Sequence, residues 1–196
     1  MREDRLFPEG TIPEYTQPHW YLERESAPHI DQSAHRPRLD CAMGLVMTVW
    51  EPTMTVVDLG AGDGGPLSLL TEVPVANKWG YDLAPNNVSV AQQRGQDVRY
   101  GDVYAGIEWA DIAITTEMLE HLVDPHGFAN LISHNCRYLV ASSPQTETAE
   151  HHYEFHAWAW DKEGYAAMLE ANGWEILQHV DSSVYQVALC RSKNYA

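Results

Sequence analysis

The ten residues Val56 to Gly65 read VVDLGAGDGG, and they constrain the fold more than any other stretch of the chain. A β-branched pair leading into Asp58 and Leu59 makes a short buried strand. Glycines at 60, 62, 64 and 65 then force a tight turn, and Pro66 opens a helix. Strand, glycine-rich turn and helix in that order form the first unit of a parallel α/β sheet, with a ligand expected beyond the strand's carboxyl end.

The rest of the chain repeats this alternation. Apolar runs predict strands at Thr55 to Leu59, Lys78 to Leu83, Val98 to Tyr100, Asp111 to Thr115 and Arg137 to Ala141. Between them, 3.6-residue patterns predict helices at Pro66 to Val73, Asn86 to Arg94 and Pro125 to Asn135. Upstream, Leu39, Ala42, Met43, Val46 and Val49 recur at helical steps, predicting a helix within Ile30 to Trp50 that ends before Pro52. Downstream, Asp161 is placed to cap a helix carrying Tyr165, Met168 and Leu169, which Gly173 stops. Strands at Trp174 to His179 and Val184 to Arg191, joined by Asp181, Ser182 and Ser183, predict a terminal antiparallel hairpin. Residues 1 to about 28, with Pro8, Pro13, Pro18 and Pro28 among Tyr15, Trp20 and Tyr21, read as an irregular arm. The expected division is an N-terminal arm and helix over residues 1–50, placed to cover a site, and one ligand-binding domain over 51–196.

The acids in and after the glycine turn narrow the ligand. Glycines 60, 62 and 65 also satisfy the G-x-G-x-x-G of dinucleotide sites, a weak match taken alone. Asp58 at the strand end and Asp63 inside the turn would repel a pyrophosphate and attract a cofactor carrying ammonium and sulfonium groups. That favours S-adenosylmethionine over a nicotinamide cofactor. Asp82 ends the second strand in WGYDL, where an acid accepts ribose hydroxyls, and Asp102 with Val103 follows the third strand within reach of an adenine edge.

Composition limits the partners. The chain of 196 residues carries a formal charge of −16, which disfavours nucleic acid. The loose grouping of Arg24, Arg36 and Arg38 offers a small anionic site, but a solvated face is its simpler reading. Cys41, Cys136 and Cys190 are widely spaced, without a C-x-x-C pair, as expected of a reducing, cytoplasmic compartment. No apolar run is long enough for a membrane span.

With these residues in view, the chain resembles the class I, Rossmann-like S-adenosylmethionine-dependent methyltransferases over about residues 40 to 191. VVDLGAGDGG is similar to that class's first motif, GYDLA to its second, GDVY to its third, and RYLVASSP to its fifth strand and exit loop. DIAITTEMLEHLVDP is similar to the segment after the fourth strand in the branch that includes quinone-biosynthesis O-methyltransferases. The resemblance implies an α/β three-layer sandwich with a seven-stranded, mostly parallel Rossmann-like sheet and an antiparallel C-terminal hairpin. It implies methyl transfer to an acceptor expected to be a small molecule. It sets Asp58, Gly60, Gly62, Asp63, Asp82, Leu83, Asp102, Val103 and Glu117 against the cofactor.

The histidines carry the remaining expectations. His121 is the first candidate base and His152 the second, because imidazole titrates near neutral pH. Glu117, Glu120 and His121 also fall on one face of a helical turn. With His152 or His156 they are similar to the metal site of methyltransferases that modify the terminal ribose of small RNAs. The expectation here is the metal-free one, in which the string caps a turn at the substrate mouth. A non-catalytic cofactor-binding protein is the other alternative.

Overall fold

The computed structural model describes residues 1–25 and 29–195, so Pro28 of the expected arm lies outside the described residues. A seven-stranded sheet forms the centre: β2 (Val56–Leu59), β3 (Lys78–Asp82), β4 (Val98–Tyr100), β5 (Ala110–Thr116), β6 (Cys136–Pro144), β8 (Trp174–Ser182) and β9 (Tyr185–Ser192). Their spatial order is β4-β3-β2-β5-β6-β9-β8. β2 pairs in parallel with both β3 and β5, β5 in parallel with β6, and β9 alone runs against its neighbours β6 and β8. This is the expected Rossmann-like sheet with its antiparallel hairpin.

Alternation along the strands builds two cores. Val57, Leu59, Ala113, Leu139 and Ala141 face one side, where Phe128 and Ile132 of α5 (Pro125–Ser133) and Tyr165, Met168 and Leu169 of α6 (Lys162–Ala171) cover them. Val56, Ile112, Ile114, Val140 and Leu189 face the other, under Ala42, Met43 and Val46 of α2 (Arg36–Val49). Leu67 of α3 (Gly65–Leu69) with Val88 and Ala91 of α4 (Pro85–Gln93) packs a third cluster against Val98. Helices on both faces make the three-layer sandwich.

The expected elements recur with ends shifted by a few residues, and three differences are informative. The helix expected from Ile30 begins only at Arg36, preceded by a 3-10 turn at His29–Asp31. Asp181 and Ser182 belong to β8, and the hairpin turns on Ser183 and Val184, with Ser183 at φ 60°. The arm is not irregular throughout: β1 (Glu3–Arg5) pairs antiparallel with β7 (Trp158–Trp160) in a separate ribbon, and Pro18 opens the short helix α1 (Pro18–Tyr21). The pairing bridges residues more than 150 positions apart, such as Glu3 and Trp160, and so has no local signature.

One carboxylate anchors this ribbon. Asp161 Oδ1 accepts from the amide of Gly164 at 2.7 Å, capping α6, and from the amide of Arg2 at 2.8 Å. Glu3 completes the strap by accepting from Trp160 Nε1 at 2.9 Å. Asp161→Ala is therefore expected to lower unfolding free energy by about 1–2 kcal/mol through loss of the cap. Amide exchange should accelerate at Leu6, whose N–H bonds Ala157. Denaturant melts and hydrogen exchange read both effects, and unchanged exchange at Leu6 would show that the strap holds without Asp161.

Candidate functional site

The glycine turn after β2 is fixed from β3. The amides of Gly60 and Ala61 both donate to the Tyr81 carbonyl, at 3.0 and 2.9 Å. Gly60 has φ 77°, and a Cβ there would meet Met118 Sδ at 2.9 Å, so conformation and space both demand glycine. Asp82 Oδ2 accepts from the amide of Gly62 at 2.8 Å, while Oδ1 accepts from the amide of Ala84 at 2.7 Å. Burial raises the Asp82 carboxyl above its ordinary range, and these amides oppose the shift. Asp102 caps the turn after β4 by accepting from the Tyr104 amide at 2.9 Å.

These groups line one cavity of about 950 Å³, bordered by Gly60, Gly62, Asp82, Leu83, Asp102, Val103, Glu117 and His121. Of the residues expected at the cofactor, Asp58 and Asp63 stand behind this wall. Asp63 is a correction: it is buried against Arg94 Nη1 at 2.8 Å, and that ion pair, not a ligand, answers its charge. Asp58 is fully buried beneath the turn, and neither carboxylate oxygen has a partner among the described residues. Burial, reinforced by the charges of Asp82 and Asp63, pushes its carboxyl well above the ordinary range. An unpaired buried acid beneath bare glycines fits a cationic cofactor and not a pyrophosphate.

The far side of the cavity carries the histidines. His121 Nδ1 lies 2.9 Å from the Phe155 carbonyl, to which it donates. His156 Nδ1 donates to Glu147 Oε2 at 2.6 Å, and the two imidazole rings stand 4.6 Å apart. His152, the second candidate base, is exposed, with Nδ1 3.2 Å from the Thr148 carbonyl, and it is His156 of this loop that borders the cavity. The loop HHYEFH has no regular period, so sequence could not choose among its histidines. The available signal was Glu147, an acid able to reach back to one of them.

Glu117 and Glu120 part company. Glu117 has φ 55°, a strained left-handed backbone for a side chain of its size, and its carboxylate is held by Arg38 Nη1 at 3.1 Å and Ser142 Oγ at 3.1 Å. Glu120 is fully buried with both oxygens unpartnered among the described residues, and burial next to Glu117 raises its carboxyl strongly. Ligand atoms of Glu120, His121 and His156 lie within 4.8 Å of one another. Arg24 and Arg38 border the cavity, whereas Arg36 makes a surface pair with Asp40, so the arginine grouping is not simply a solvated face.

Beyond the carboxyl ends of a parallel sheet's central strands, a glycine turn, an acid ending the next strand and a large cavity define a Rossmann-like ligand-binding site. Residues 34–179 match the family model for the methyltransferase domain, and the chain belongs to that family. No curated protein matches its sequence. Among solved structures, it is similar to the N-methyltransferase NodS from Bradyrhizobium japonicum WM9, in complex with S-adenosyl-L-homocysteine. Identity is 16%, coverage 91% of this chain and 97% of that one, and the TM-score 0.71. It is also similar to magnesium protoporphyrin IX methyltransferase from Synechocystis PCC 6803, with 16% identity, coverage of 89% and 91%, and a TM-score of 0.70. The [4+2]-cyclase SpnF matches at 14% identity and a TM-score of 0.69, covering 88% of this chain and 85% of its own.

Asp58 yields a test by linkage. A carboxyl whose folded pKa is raised contributes stability below its unfolded value, near 3.8, and loses it as pH rises toward the folded value. Ligand-free Asp58→Asn should thus melt higher than the wild type at neutral pH and lose less stability between acid and neutral conditions. It should also bind cationic cofactor more weakly. Parallel melting curves from pH 4 to 8 would contradict the assignment of Asp58 as an uncompensated acid.

Proposed function

We propose that the chain transfers a methyl group from S-adenosylmethionine to a small-molecule acceptor bearing a protic nucleophile. One observation carries this reading: a single cavity runs from the glycine turn, Asp82 and Asp102 to His121 and His156. Its volume of about 950 Å³ is at the upper end for small-ligand sites, enough for a nucleoside cofactor and a second compound. The charge of −16 disfavours a polyanionic acceptor. Cofactor-bound neighbours of the same fold support the choice of cofactor.

In this reading Asp82 receives the ribose hydroxyls, Asp102 and Val103 meet the adenine, and Leu83 and Gly60 flank the nucleoside. Glu117 and buried Asp58 bias the methionine end toward positive charge. The cofactor supplies a methyl group already activated on a sulfonium, so the protein's tasks are alignment, exclusion of water and management of one proton. His121 and Glu147-oriented His156 serve as the proton acceptors at the mouth. The arm, through Tyr21 and Arg24, covers the cavity as a lid. Among the described residues no helix is long and apolar enough to cross a membrane, and the three cysteines are unpaired, in keeping with a cytoplasmic enzyme.

A second reading, the metal-dependent terminal-ribose methyltransferase, is favoured by the convergence of Glu120, His121 and His156. Glu117 stands outside that group on Arg38, which leaves three side chains where the resemblance implies four. Mixed oxygen and imidazole ligands would suit manganese, iron or cobalt.

Two measurements test these readings. Asp82→Ala should weaken S-adenosylhomocysteine binding by about 1–3 kcal/mol in calorimetry, because a charged acceptor is lost. Equal affinities would remove Asp82 from the site. For the metal, protein stripped with chelator should show no stoichiometric uptake of cobalt(II) and no visible absorption band on titration. A one-to-one band that His156→Ala abolishes would overturn the metal-free reading.

A further inference from the structure

The histidine end of the cavity is walled by rings that the preceding chemistry does not use. Tyr21 of the arm and Tyr153 of the histidine loop both border the cavity. Phe155 joins them from behind: its ring meets Tyr153 at 5.3 Å and Trp20 at 5.0 Å, and Trp20 stands edge-on to Tyr21 at 5.2 Å. Tyr153 in turn meets the His156 ring at 5.2 Å, so the wall runs up to the candidate base. Burial, reinforced by Asp82 and Glu120 and opposed by Arg24, pushes the Tyr21 hydroxyl up to about 12, which keeps that ring neutral at working pH. The electron-rich faces of neutral tyrosines attract a cation and give an anion nothing.

Charge points the same way. Among the described residues, five carboxylates line the cavity against the guanidiniums of Arg24 and Arg38. Both guanidiniums are engaged, Arg38 with Glu117 at 3.1 Å and Arg24 over the Trp20 ring at 4.3 Å. S-adenosylmethionine brings two positive groups and one negative, so the cavity keeps an excess of negative charge with cofactor in place. Part of that excess lies at the histidine end, where Glu147 holds His156 at 2.6 Å and its charge acts on Glu117 and Glu120. The net charge of −16 adds long-range attraction for a cation. An amine fits all three observations: it arrives as a cation, and it becomes a nucleophile once a base has taken one proton.

Resting on the methyltransferase reading of the cavity, we propose that Tyr21, Tyr153 and Glu147 form a cation-recognising subsite and that the acceptor is an amine, bound as its ammonium and methylated on nitrogen. The nitrogen passes one proton to the imidazole of His121 or His156. Its lone pair then takes the methyl carbon as the carbon–sulfur bond breaks toward sulfur. A methylammonium, neutral S-adenosylhomocysteine and one imidazolium result, so charge and atoms balance.

Protein saturated with S-adenosylhomocysteine, in buffer containing chelator, is titrated calorimetrically with hexylamine, 1-hexanol and hexanoate, which share one chain and differ in charge. Hexylamine should bind at least tenfold more tightly than hexanol, and hexanoate no more tightly than hexanol. Tyr153 is 48% exposed, so Tyr153→Leu leaves the core alone. It should weaken hexylamine at least threefold while holding hexanol and S-adenosylhomocysteine within twofold, and Tyr21→Leu should weaken hexylamine likewise. Hexylamine that binds the wild type no better than hexanol, or not at all, overturns the proposal however the variants fold. Tight hexylamine binding that neither variant weakens puts the ammonium away from the rings and overturns the subsite. Failure of the wild type to bind S-adenosylhomocysteine would strike at the methyltransferase reading itself.

Discussion

The carboxylate of Asp82 joins the turn after β2 to the start of α4: one oxygen holds the Gly62 amide, and the other holds the Ala84 amide. The glycine turn is thereby pinned to β3 from both its backbone and its side-chain side, since Tyr81 receives the Gly60 and Ala61 amides. The cavity wall at this end depends on that junction. The cost is electrostatic, because Asp58, Asp63 and Asp82 crowd into one neighbourhood, where Arg94 pairs with Asp63, Arg24 acts on Asp82, and Asp58 has no partner among the described residues. A protein that tolerates such crowding keeps a binding surface already biased toward positive charge.

Much of this was legible in sequence because it is local. The β-branched pair opening Val56 to Leu59, the glycines after it and Asp82 in WGYDL each specify conformation over a few residues, and the structure forms the strands and turn there as expected. What could not be read depends on distant partners. Asp63 looks like a ligand-facing acid until Arg94, thirty-one positions away, closes on it. β1 carries Glu3, Asp4 and Arg5, with no apolar pattern, and becomes a strand only because Trp158 to Trp160 offer an edge. The choice of His156 over His152 rests on a turn that brings Glu147 back against one imidazole.

Glu147 also connects the arm to the histidines. Its carbonyl accepts from Arg2, and its carboxylate accepts from His156 Nδ1 and the Tyr153 amide. The Ala157 amide, next along the chain, donates to the Glu120 carbonyl at 2.6 Å. The strap, the histidine loop and the turn carrying Glu120 and His121 therefore form one hydrogen-bonded unit. A displaced N-terminus would alter the mouth of the cavity without touching the cofactor turn. The arm thus has a defined mechanical route to the histidine end of the cavity, whereas Tyr21 and Arg24 border the cavity directly.

Two buried cations and one at the surface sharpen the question of what the cavity selects. Lys78 donates to the carbonyls of Leu67 and Leu70, ending α3, and is spent on structure. Arg94 is divided between Asp63 and Asp31. Arg38 borders the cavity paired with Glu117, whose left-handed backbone is an energetic expense the fold sustains only where its surroundings fix it. In a chain of charge −16, long-range attraction cannot draw an anion in. Any selection of an anionic group must then be short-ranged, made by side chains inside the cavity.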